Sequence, residues 1–277
     1  MVNLFRESYY NEKLNNEGYI VIDFLQNDGL DLLTKLYSKS KSSDQLSGFH
    51  ASMFHQNYDY KCAIDEGIRT VLQSKLNEYL SSEYTQLYAN FMVKEQGHSS
   101  AMKMHQDWAY VDEERAESFA IWIPIIDLNE SNGAFSVVPK SHKLNNFVRG
   151  PGIEDSAISQ NSLFPIEQIQ PLYLKAGQAV IWTHRLVHGS PPNLIAEPRI
   201  AATSILVPKD EPVYHFFKAT SNNKVTKYKV DRDFYMRYKV GERPQAPIED
   251  VFYYNFDFSG NRIVAPNLYS KVINFFK

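Results

Sequence analysis

Residues 119–142 read FAIWIPIIDLNESNGAFSVVPKSH, and this stretch decides the fold class. Two runs rich in apolar and β-branched residues, 119–126 and 134–138, are divided by a turn that contains Asn132-Gly133. Short strands that follow one another through turns, without alternating helices, indicate an antiparallel double-sheet roll or barrel rather than a βαβ sheet.

The same pattern continues on both sides of this stretch. Further β-rich runs cover residues 84–93, 101–105, 172–174, 179–182 and 200–208, with turn signals between them. Towards the N-terminus, we predict a polar helix over 4–16 and a short buried strand over 18–24. The spacing of apolar residues predicts further helices over 27–36, after a cap at Asn27-Asp28, and over 64–80. We therefore predict a mainly β fold with flanking helices.

We expect one domain over residues 1–277, with three regions. Residues 1–83 form a helical N-terminal flank, and residues 84–208 form the β-rich core. Within the core, residues 143–170 are polar and irregular, which predicts a long excursion loop of the kind that serves as a lid. Residues 209–277 are rich in Tyr, Phe, Lys and Arg and are expected to form a C-terminal extension or lid.

Composition excludes several classes of protein. Of the 277 residues, 43% are hydrophobic, which supports a packed core. The net charge of −3 argues against nucleic-acid binding, which is typical of basic proteins. The longest apolar run, 119–126, is far shorter than the roughly 18 residues that a membrane helix needs, so we expect no membrane partner. Cys62 is the single cysteine and cannot form an intrachain disulfide, which fits a cytoplasmic location.

Candidate metal ligands lie in two separate segments. His105-Gln106-Asp107 ends a predicted strand, on which residues two apart share a face, so His105 and Asp107 are expected side by side. His188 is expected at the far end of a strand that enters from Gly177. Two imidazoles and one carboxylate form the facial triad of non-haem Fe(II) sites, which leaves coordination positions open. Zinc uses a similar set, so the residue types alone do not decide the metal.

Arg199 follows His188 and stands directly before the run 200–208. An arginine at the start of a strand is ordinarily a surface residue. Beside a metal, its planar guanidinium could instead hold a carboxylate through paired, charge-assisted hydrogen bonds. Both interpretations stay open at this point.

With these residues in place, the chain resembles the phytanoyl-CoA dioxygenase-like family of Fe(II)/2-oxoglutarate-dependent oxygenases. The resemblance covers roughly residues 15–208 and ends there. Its motifs occur in the family's order: Glu17-Gly18-Tyr19-Ile20-Val21-Ile22, Lys94, Met104-His105-Gln106-Asp107, Ile121-Trp122-Ile123-Pro124-Ile125-Ile126-Asp127, Asn132-Gly133-Ala134-Phe135, Val138-Pro139-Lys140-Ser141-His142, Val187-His188-Gly189-Ser190-Pro191-Pro192-Asn193 and Arg199. Two positions depart from the pattern, Lys140 where glycine is usual and Gln178 where Gly-Asp is usual.

The resemblance implies a double-stranded β-helix, the jelly-roll of cupin-like proteins, with N-terminal helices. It implies that His105, Asp107 and His188 bind Fe(II), and that Arg199 and Ser190 hold the distal carboxylate of the co-substrate 2-oxoglutarate. Positions at which the family often contacts that co-substrate are Lys94, Gln106 and Trp122. The implied reaction uses O2 to hydroxylate an unactivated C–H bond of a small molecule, with release of succinate and CO2.

Other functions remain compatible with the sequence. The same machinery can produce desaturation or cyclisation, and a β-roll that binds a metal without catalysis is an alternative that Arg199 disfavours. Basic and aromatic residues at 227–238 suit a lid over an anionic or zwitterionic substrate, such as an amino acid or a secondary metabolite, with Arg232 and Arg237 as contacts. A packed outer layer is the plainer interpretation of that segment.

Two further histidines and one charged segment are assigned structural roles. On a continuous strand His184 would lie about 13 Å from His188, too far for a shared metal, so it is not expected to be a ligand. His142 is expected to bond to backbone near the long loop. Residues 111–117 are expected to form a solvated, charged turn.

Overall fold

The structure, a computed structural model, describes residues 3–40, 47–143, 148–153, 166–219 and 225–252. Its helices are α1 (Ser8–Glu17), α2 (Asn27–Ser40), α3 (Tyr58–Tyr79) and α4 (Arg232–Arg237). Its strands are β1 (Tyr19–Asp23), β2 (Phe49–Ala51), β3 (Tyr84–Lys94), β4 (Met102–His105), β5 (Phe119–Pro124), β6 (Phe135–Val137), β7 (Gln170–Leu172), β8 (Gln178–Thr183), β9 (His188–Ser190), β10 (Arg199–Pro208), β11 (Val213–Lys218), β12 (Val225–Val230) and β13 (Ile248–Phe252). None of the helices in these ranges has the length and apolar character needed to cross a membrane.

Eight strands, β3 to β10, form two antiparallel sheets that the chain visits in turn. The larger sheet contains β8-β5-β10-β3 in that order, and the smaller contains β4-β9-β6-β7. β1 pairs with β8 and β2 pairs with β3, so the larger sheet extends to six strands. This alternation between two sheets is the double-stranded β-helix, and the predicted fold class is confirmed.

The larger sheet separates two apolar layers because side chains alternate along each strand. On β3, Phe91 and Val93 pack on the outer face in the same cluster as Ile68 of α3. Asn90 and Met92, on the opposite face of β3, line a cavity between the two sheets. The N-terminal helices therefore cover the outside of the roll and leave its interior for the site.

Three predicted helix boundaries are wrong, and one of them is the end of α2, which lies at Ser40 rather than residue 36. The other two are the starts of α3 and α1. α3 begins at Tyr58 rather than residue 64, because the side chain of Asn57 caps the helix by accepting a hydrogen bond from the Tyr60 N–H at 2.9 Å. α1 begins at Ser8 rather than residue 4, because Phe5 forms an antiparallel bridge with Leu80. A side-chain cap in α3 and a long-range β-bridge before α1 therefore decide these boundaries more strongly than the spacing of apolar residues.

The segment after residue 208 forms a third, three-stranded sheet, β11-β12-β13, with α4 between β12 and β13. α4 is fastened to α3, since Lys61 Nζ donates hydrogen bonds to the carbonyl oxygens of Tyr235 and Tyr238, at 3.0 and 3.1 Å. The part of the predicted extension at 253–277 lies outside the described residues.

The predicted excursion loop is described at its ends and over residues 148–153. The Ala109 N–H donates to the carbonyl of Arg149 at 3.1 Å, and the Lys218 N–H donates to that of Pro151 at 3.0 Å. A Cβ at Gly150 would lie 2.0 Å from the carbonyl oxygen of Phe216, so only glycine fits this position. This short segment is thus wedged between β11 and the chain that follows β4.

Candidate metal centre

His105, Asp107 and His188 meet at one end of the smaller sheet. His105 ends β4, His188 begins β9, and the two residues are paired across these antiparallel strands. Asp107 Oδ1 lies 3.8 Å from His105 Nε2 and 3.7 Å from His188 Nε2. One potential ligand atom from each of the three residues lies within 4.8 Å of the other two.

The three residues meet as predicted, but the predicted reason for their proximity, their positions along continuous strands, is wrong. Asp107 lies beyond the end of β4, where its N–H donates to the carbonyl of His184 at 3.1 Å, so strand alternation does not place it beside His105. The strand that enters from Gly177 ends at Thr183, and a turn precedes His188 on a separate strand. Pairing between strands, rather than alternation along one, assembles the cluster.

Hydrogen bonds orient each of the three side chains. His105 Nδ1 lies 2.8 Å from the carbonyl oxygen of Lys103, and His188 Nδ1 lies 3.0 Å from that of Leu186. A carbonyl oxygen only accepts, so each Nδ1 carries the hydrogen and each Nε2 keeps its lone pair towards Asp107. The indole N–H of Trp182 donates to Asp107 Oδ2 at 2.9 Å, which leaves Oδ1 facing the two imidazoles.

The protonation states suit metal binding. Burial lowers the pKa of His188 to about 4, so this imidazole is neutral near pH 7. Burial alone would raise the pKa of the Asp107 carboxyl, but the neighbouring imidazoles, His188 first, and the Trp182 hydrogen bond leave that pKa below its usual value. The cluster therefore offers an ionised carboxylate and imidazole lone pairs, the donor set of a facial-triad site for Fe(II), and it faces an open cavity.

That cavity lies between the two sheets and has a volume of about 220 Å³. All three tryptophans of the chain line it, and so do Ser190 and Arg199. The tryptophans are Trp108, Trp122 and Trp182. Most of the remaining wall is apolar.

Arg199 is the cation on this wall. It starts β10, as expected, but only 2% of it is exposed, so it is not a surface residue. Its guanidinium lies 5.0 Å from the ring centroid of Trp122 and forms no hydrogen bond or ion pair with the described residues. Burial lowers its pKa to about 9, which still leaves it charged near pH 7. A buried cation that has no anion among the described residues and faces the same cavity as the triad has the chemistry that pairs with a carboxylate.

Lys94 lies opposite Arg199 on the neighbouring strand but is not part of the cavity wall. Its Nζ donates hydrogen bonds to the carbonyl oxygens of Ser190 and Pro191, at 3.1 and 2.7 Å. Burial, with a smaller contribution from Arg199, lowers its pKa to about 7. The structure thus places Lys94 behind Ser190, where it supports the turn that presents this residue to the cavity.

The two other residues expected to touch the co-substrate, Gln106 and Trp122, do line the cavity. Trp122 presents its ring to Arg199, and the side-chain amide of Gln106 donates to the carbonyl of Arg185. Gln106 is therefore tied to the turn that follows β8.

Sequence reasoning missed three residues around the site. Trp182 was seen only as part of a strand, although it holds Asp107. Arg149 bonds to the Asp107 carbonyl through Nε at 2.7 Å and to both carboxylate oxygens of Glu113, at 2.9 and 2.5 Å. The side chains of this pair are 6% and 9% exposed, so the prediction of a solvated turn at 111–117 is wrong for Glu113. No periodic signal in the sequence joins positions 36 residues apart.

Two histidines lie outside the cluster. His184 Nδ1 is 2.7 Å from the hydroxyl of Ser118, and a turn rather than a continuous strand separates this residue from His188. His142 Nε2 lies 3.1 Å from the carbonyl oxygen of Asn15, which confirms the predicted backbone bond.

Within the described part of the C-terminal segment, no cationic residue lines the cavity. Arg232 binds the buried carboxylate of Asp65 on α3 at 2.5 Å, and Arg237 binds Asp233 at 2.6 Å. The predicted substrate contacts through these two arginines are therefore wrong, because both side chains are taken up by carboxylates of α3 and α4.

Comparison with known proteins identifies the family and supports the fold. The family model for phytanoyl-CoA dioxygenase matches residues 33–201, more than half of the chain. HygX from Streptomyces hygroscopicus, solved with nickel, 2-oxoglutarate and hygromycin B, superposes with a TM-score of 0.54 at 12% identity, over 74% of this chain and 88% of that one. SnoN, a non-haem α-ketoglutarate-dependent epimerase from nogalamycin biosynthesis, gives 0.52 at 15% identity, over 88% and 93%. EvdO2 from Micromonospora carbonacea var. aurantiaca, complexed with 2-oxoglutarate, gives 0.50 at 14% identity, over 73% and 91%. No curated protein matches the sequence.

Proposed function

This chain belongs to the phytanoyl-CoA dioxygenase family of non-haem, 2-oxoglutarate-dependent enzymes, and from that premise we propose that it hydroxylates an unactivated C–H bond of a small molecule. Fe(II), 2-oxoglutarate and O2 are the proposed cofactor and co-substrates, with succinate and CO2 as products. The observation that carries the proposal is the buried guanidinium of Arg199, which has no partner among the described residues and faces the cavity that also holds the three candidate metal ligands.

In this proposal His105, Asp107 and His188 hold the iron, and Arg199 with Ser190 holds the distal carboxylate of 2-oxoglutarate. When bound, iron and 2-oxoglutarate together supply the oxidising power, because O2 is reduced while 2-oxoglutarate loses CO2. The chain positions the metal and the co-substrate and shields them from water. Trp182 keeps Asp107 Oδ1 turned towards the imidazoles, and the aromatic wall excludes water from the site.

The same residues are compatible with desaturation, cyclisation or epimerisation, because the product depends on which C–H bonds of the substrate lie near the metal. The structural relative SnoN is an epimerase. A metal-binding module without catalysis is disfavoured, since such a protein gains nothing from a buried cation that lacks an anion.

A small molecule is the proposed partner, in line with the modest cavity. HygX was solved with hygromycin B and 2-oxoglutarate bound together, so in that protein this fold holds a second small molecule beside 2-oxoglutarate. Cys62 carries a free thiol, which fits the reducing cytoplasm as the proposed location.

Anaerobic calorimetry tests the proposal directly. The protein loaded with Fe(II) should bind 2-oxoglutarate, and admission of O2 should release succinate slowly without substrate and faster with it. The His188→Ala variant should lose Fe(II) binding and succinate release together. Tight Fe(II) binding with no affinity for 2-oxoglutarate would instead support the non-catalytic module.

A further inference from the structure

The acidic and basic side chains of the described cavity wall are all used by the proposed function. His105, Asp107 and His188 are assigned to the metal, and Arg199 is assigned to the co-substrate. Tyr88 and Tyr110 also line the cavity, but burial raises the pKa of both phenols far above neutrality, so they are uncharged. On the described wall, no charged side chain is left to pair with a substrate.

The remaining wall is apolar and adaptable. Phe49 and Met53, from β2 and the turn after it, face the cavity together with Trp108 from the chain after β4. Met92 and Met102 add flexible thioether side chains, which adjust to irregular shapes. The volume of about 220 Å³ is below the roughly 300–1,000 Å³ common for drug-sized ligands, and the co-substrate shares it. The wall therefore favours a small molecule with an apolar body.

One uncharged side chain of this wall is polar and buried but has no hydrogen-bond partner among the described residues. Asn90 is 2% exposed and lines the cavity, and its carboxamide forms no hydrogen bond with any described residue. It is paired with Thr203 on β10, four residues from Arg199, which corresponds to about 13 Å along a strand. Buried polar groups are nearly always hydrogen-bonded in folded proteins, so an unpartnered carboxamide beside a cavity indicates a ligand group that completes it.

We propose that the primary substrate is a small, uncharged molecule with an apolar body and one hydroxyl or amide group, which hydrogen-bonds to Asn90. This inference rests on the proposed function and replaces the anionic or zwitterionic substrate expected from the cations at 227–237. Those cations are paired elsewhere: Lys227 with Asp112, Lys229 with Glu249, Arg232 with Asp65 and Arg237 with Asp233. A charged substrate group would be buried on this wall without a counter-charge.

Tryptophan fluorescence provides the test, because every tryptophan of the chain lines the cavity. The protein is loaded with Ni(II) and saturating 2-oxoglutarate, and is then titrated with benzamide, benzoate and benzylamine. These probes share a ring and differ in charge. We expect benzamide to bind at least tenfold more tightly than either charged probe. Equal responses, or no response to any of the three, would overturn the inference.

Two variants test whether Asn90 forms the proposed hydrogen bond with the ligand. Asn90→Leu keeps a similar volume and should weaken benzamide binding about five- to tenfold. Asn90→Asp places a carboxylate at the same position and should shift the preference towards benzylamine. Benzamide binding at the wild-type level in Asn90→Leu, with no shift in Asn90→Asp, would show that Asn90 does not contact the ligand.

Calorimetric measurement of 2-oxoglutarate binding, done in parallel with the fluorescence titrations, distinguishes failure of this inference from failure of the proposed function. Binding of 2-oxoglutarate together with a preference for benzoate would refute the uncharged substrate alone. No binding of 2-oxoglutarate would refute the proposed function, and the inference with it. Circular dichroism of both variants checks that each is folded before its affinity is compared with the wild type.

Discussion

Replacing Arg199 by methionine should make the ligand-free protein more stable while removing its affinity for 2-oxoglutarate. The guanidinium is buried and has no carboxylate partner among the described residues. Burial lowers its pKa from 12.5 to about 9, and at about 1.4 kcal/mol per pKa unit, holding this charge costs on the order of 5 kcal/mol. The cost is present in full below pH 9 and declines as the pH rises from there, so it is constant between pH 6 and 8.

Two magnitudes follow for Arg199→Met. Apolar replacement of buried ions typically stabilises proteins by about 1–4 kcal/mol, and we expect a gain in this range in the free energy of unfolding without 2-oxoglutarate. The bound co-substrate would lose its charged partner, which costs about 2–5 kcal/mol and raises the dissociation constant from about 30-fold to several thousand-fold. Arg199→Lys should recover part of this loss, since an ammonium lacks the paired donors of a guanidinium.

Urea unfolding and anaerobic calorimetry with Fe(II) measure these two quantities. Arg232→Met is the matched control, because Arg232 binds the buried carboxylate of Asp65 away from the cavity. That variant should lose about 1–3 kcal/mol of stability and keep the wild-type affinity for 2-oxoglutarate. An Arg199→Met protein that is less stable than the wild type and still binds 2-oxoglutarate normally would show that Arg199 is a structural residue.

Three further predictions concern the surroundings of the site. His188→Ala should abolish Fe(II) binding in calorimetry. His184→Ala should retain Fe(II) binding but lower the free energy of unfolding by about 2–4 kcal/mol, because it leaves a cavity. The opposite pattern would reverse the ligand assignment. Binding of 2-oxoglutarate should raise the pKa of Lys94 above its value of about 7, so the affinity for 2-oxoglutarate should fall as the pH rises. Calorimetry at pH 8 in two buffers of different ionisation enthalpy should detect the accompanying proton uptake, and Lys94→Met should abolish it. Equal heats in both buffers would contradict this prediction. Glu113→Gln should lower the free energy of unfolding by about 3 kcal/mol because it breaks the buried pair with Arg149, and an unchanged melting temperature would argue against that pair.

Local pattern was sufficient for the class of fold. Apolar runs and turn signals from 84 to 208 predicted seven of the eight strands of the roll to within a few residues, because strand formation depends on neighbouring side chains. The exception is β9, which the sequence analysis did not separate from the strand before it. The ends of the helices were less predictable. Asn57 and Phe5 decide them through individual hydrogen bonds and a β-bridge, which periodicity does not contain.

The candidate ligands were found through residue chemistry and family resemblance, and the structure then changed the reason for their proximity. His105 and His188 are neighbours because β4 pairs with β9, and Asp107 joins them from a turn. The direction of Lys94 could not be predicted, since a flexible lysine at that position can reach either the cavity or the carbonyl oxygens behind Ser190. Packing of the turn after β9 selects the second arrangement.

The amino-acid sequence by itself determined the roll, its strand order along the chain and the set of side chains able to bind a metal and a carboxylate. Only the tertiary structure decided that Arg199 is buried with no partner among the described residues, that Trp182 holds Asp107, and that Glu113 meets Arg149. The physical reason is the distance along the chain over which each interaction acts. Backbone preference and periodicity act over a few residues, whereas burial and ion pairing depend on which distant segments pack together and how much water they exclude.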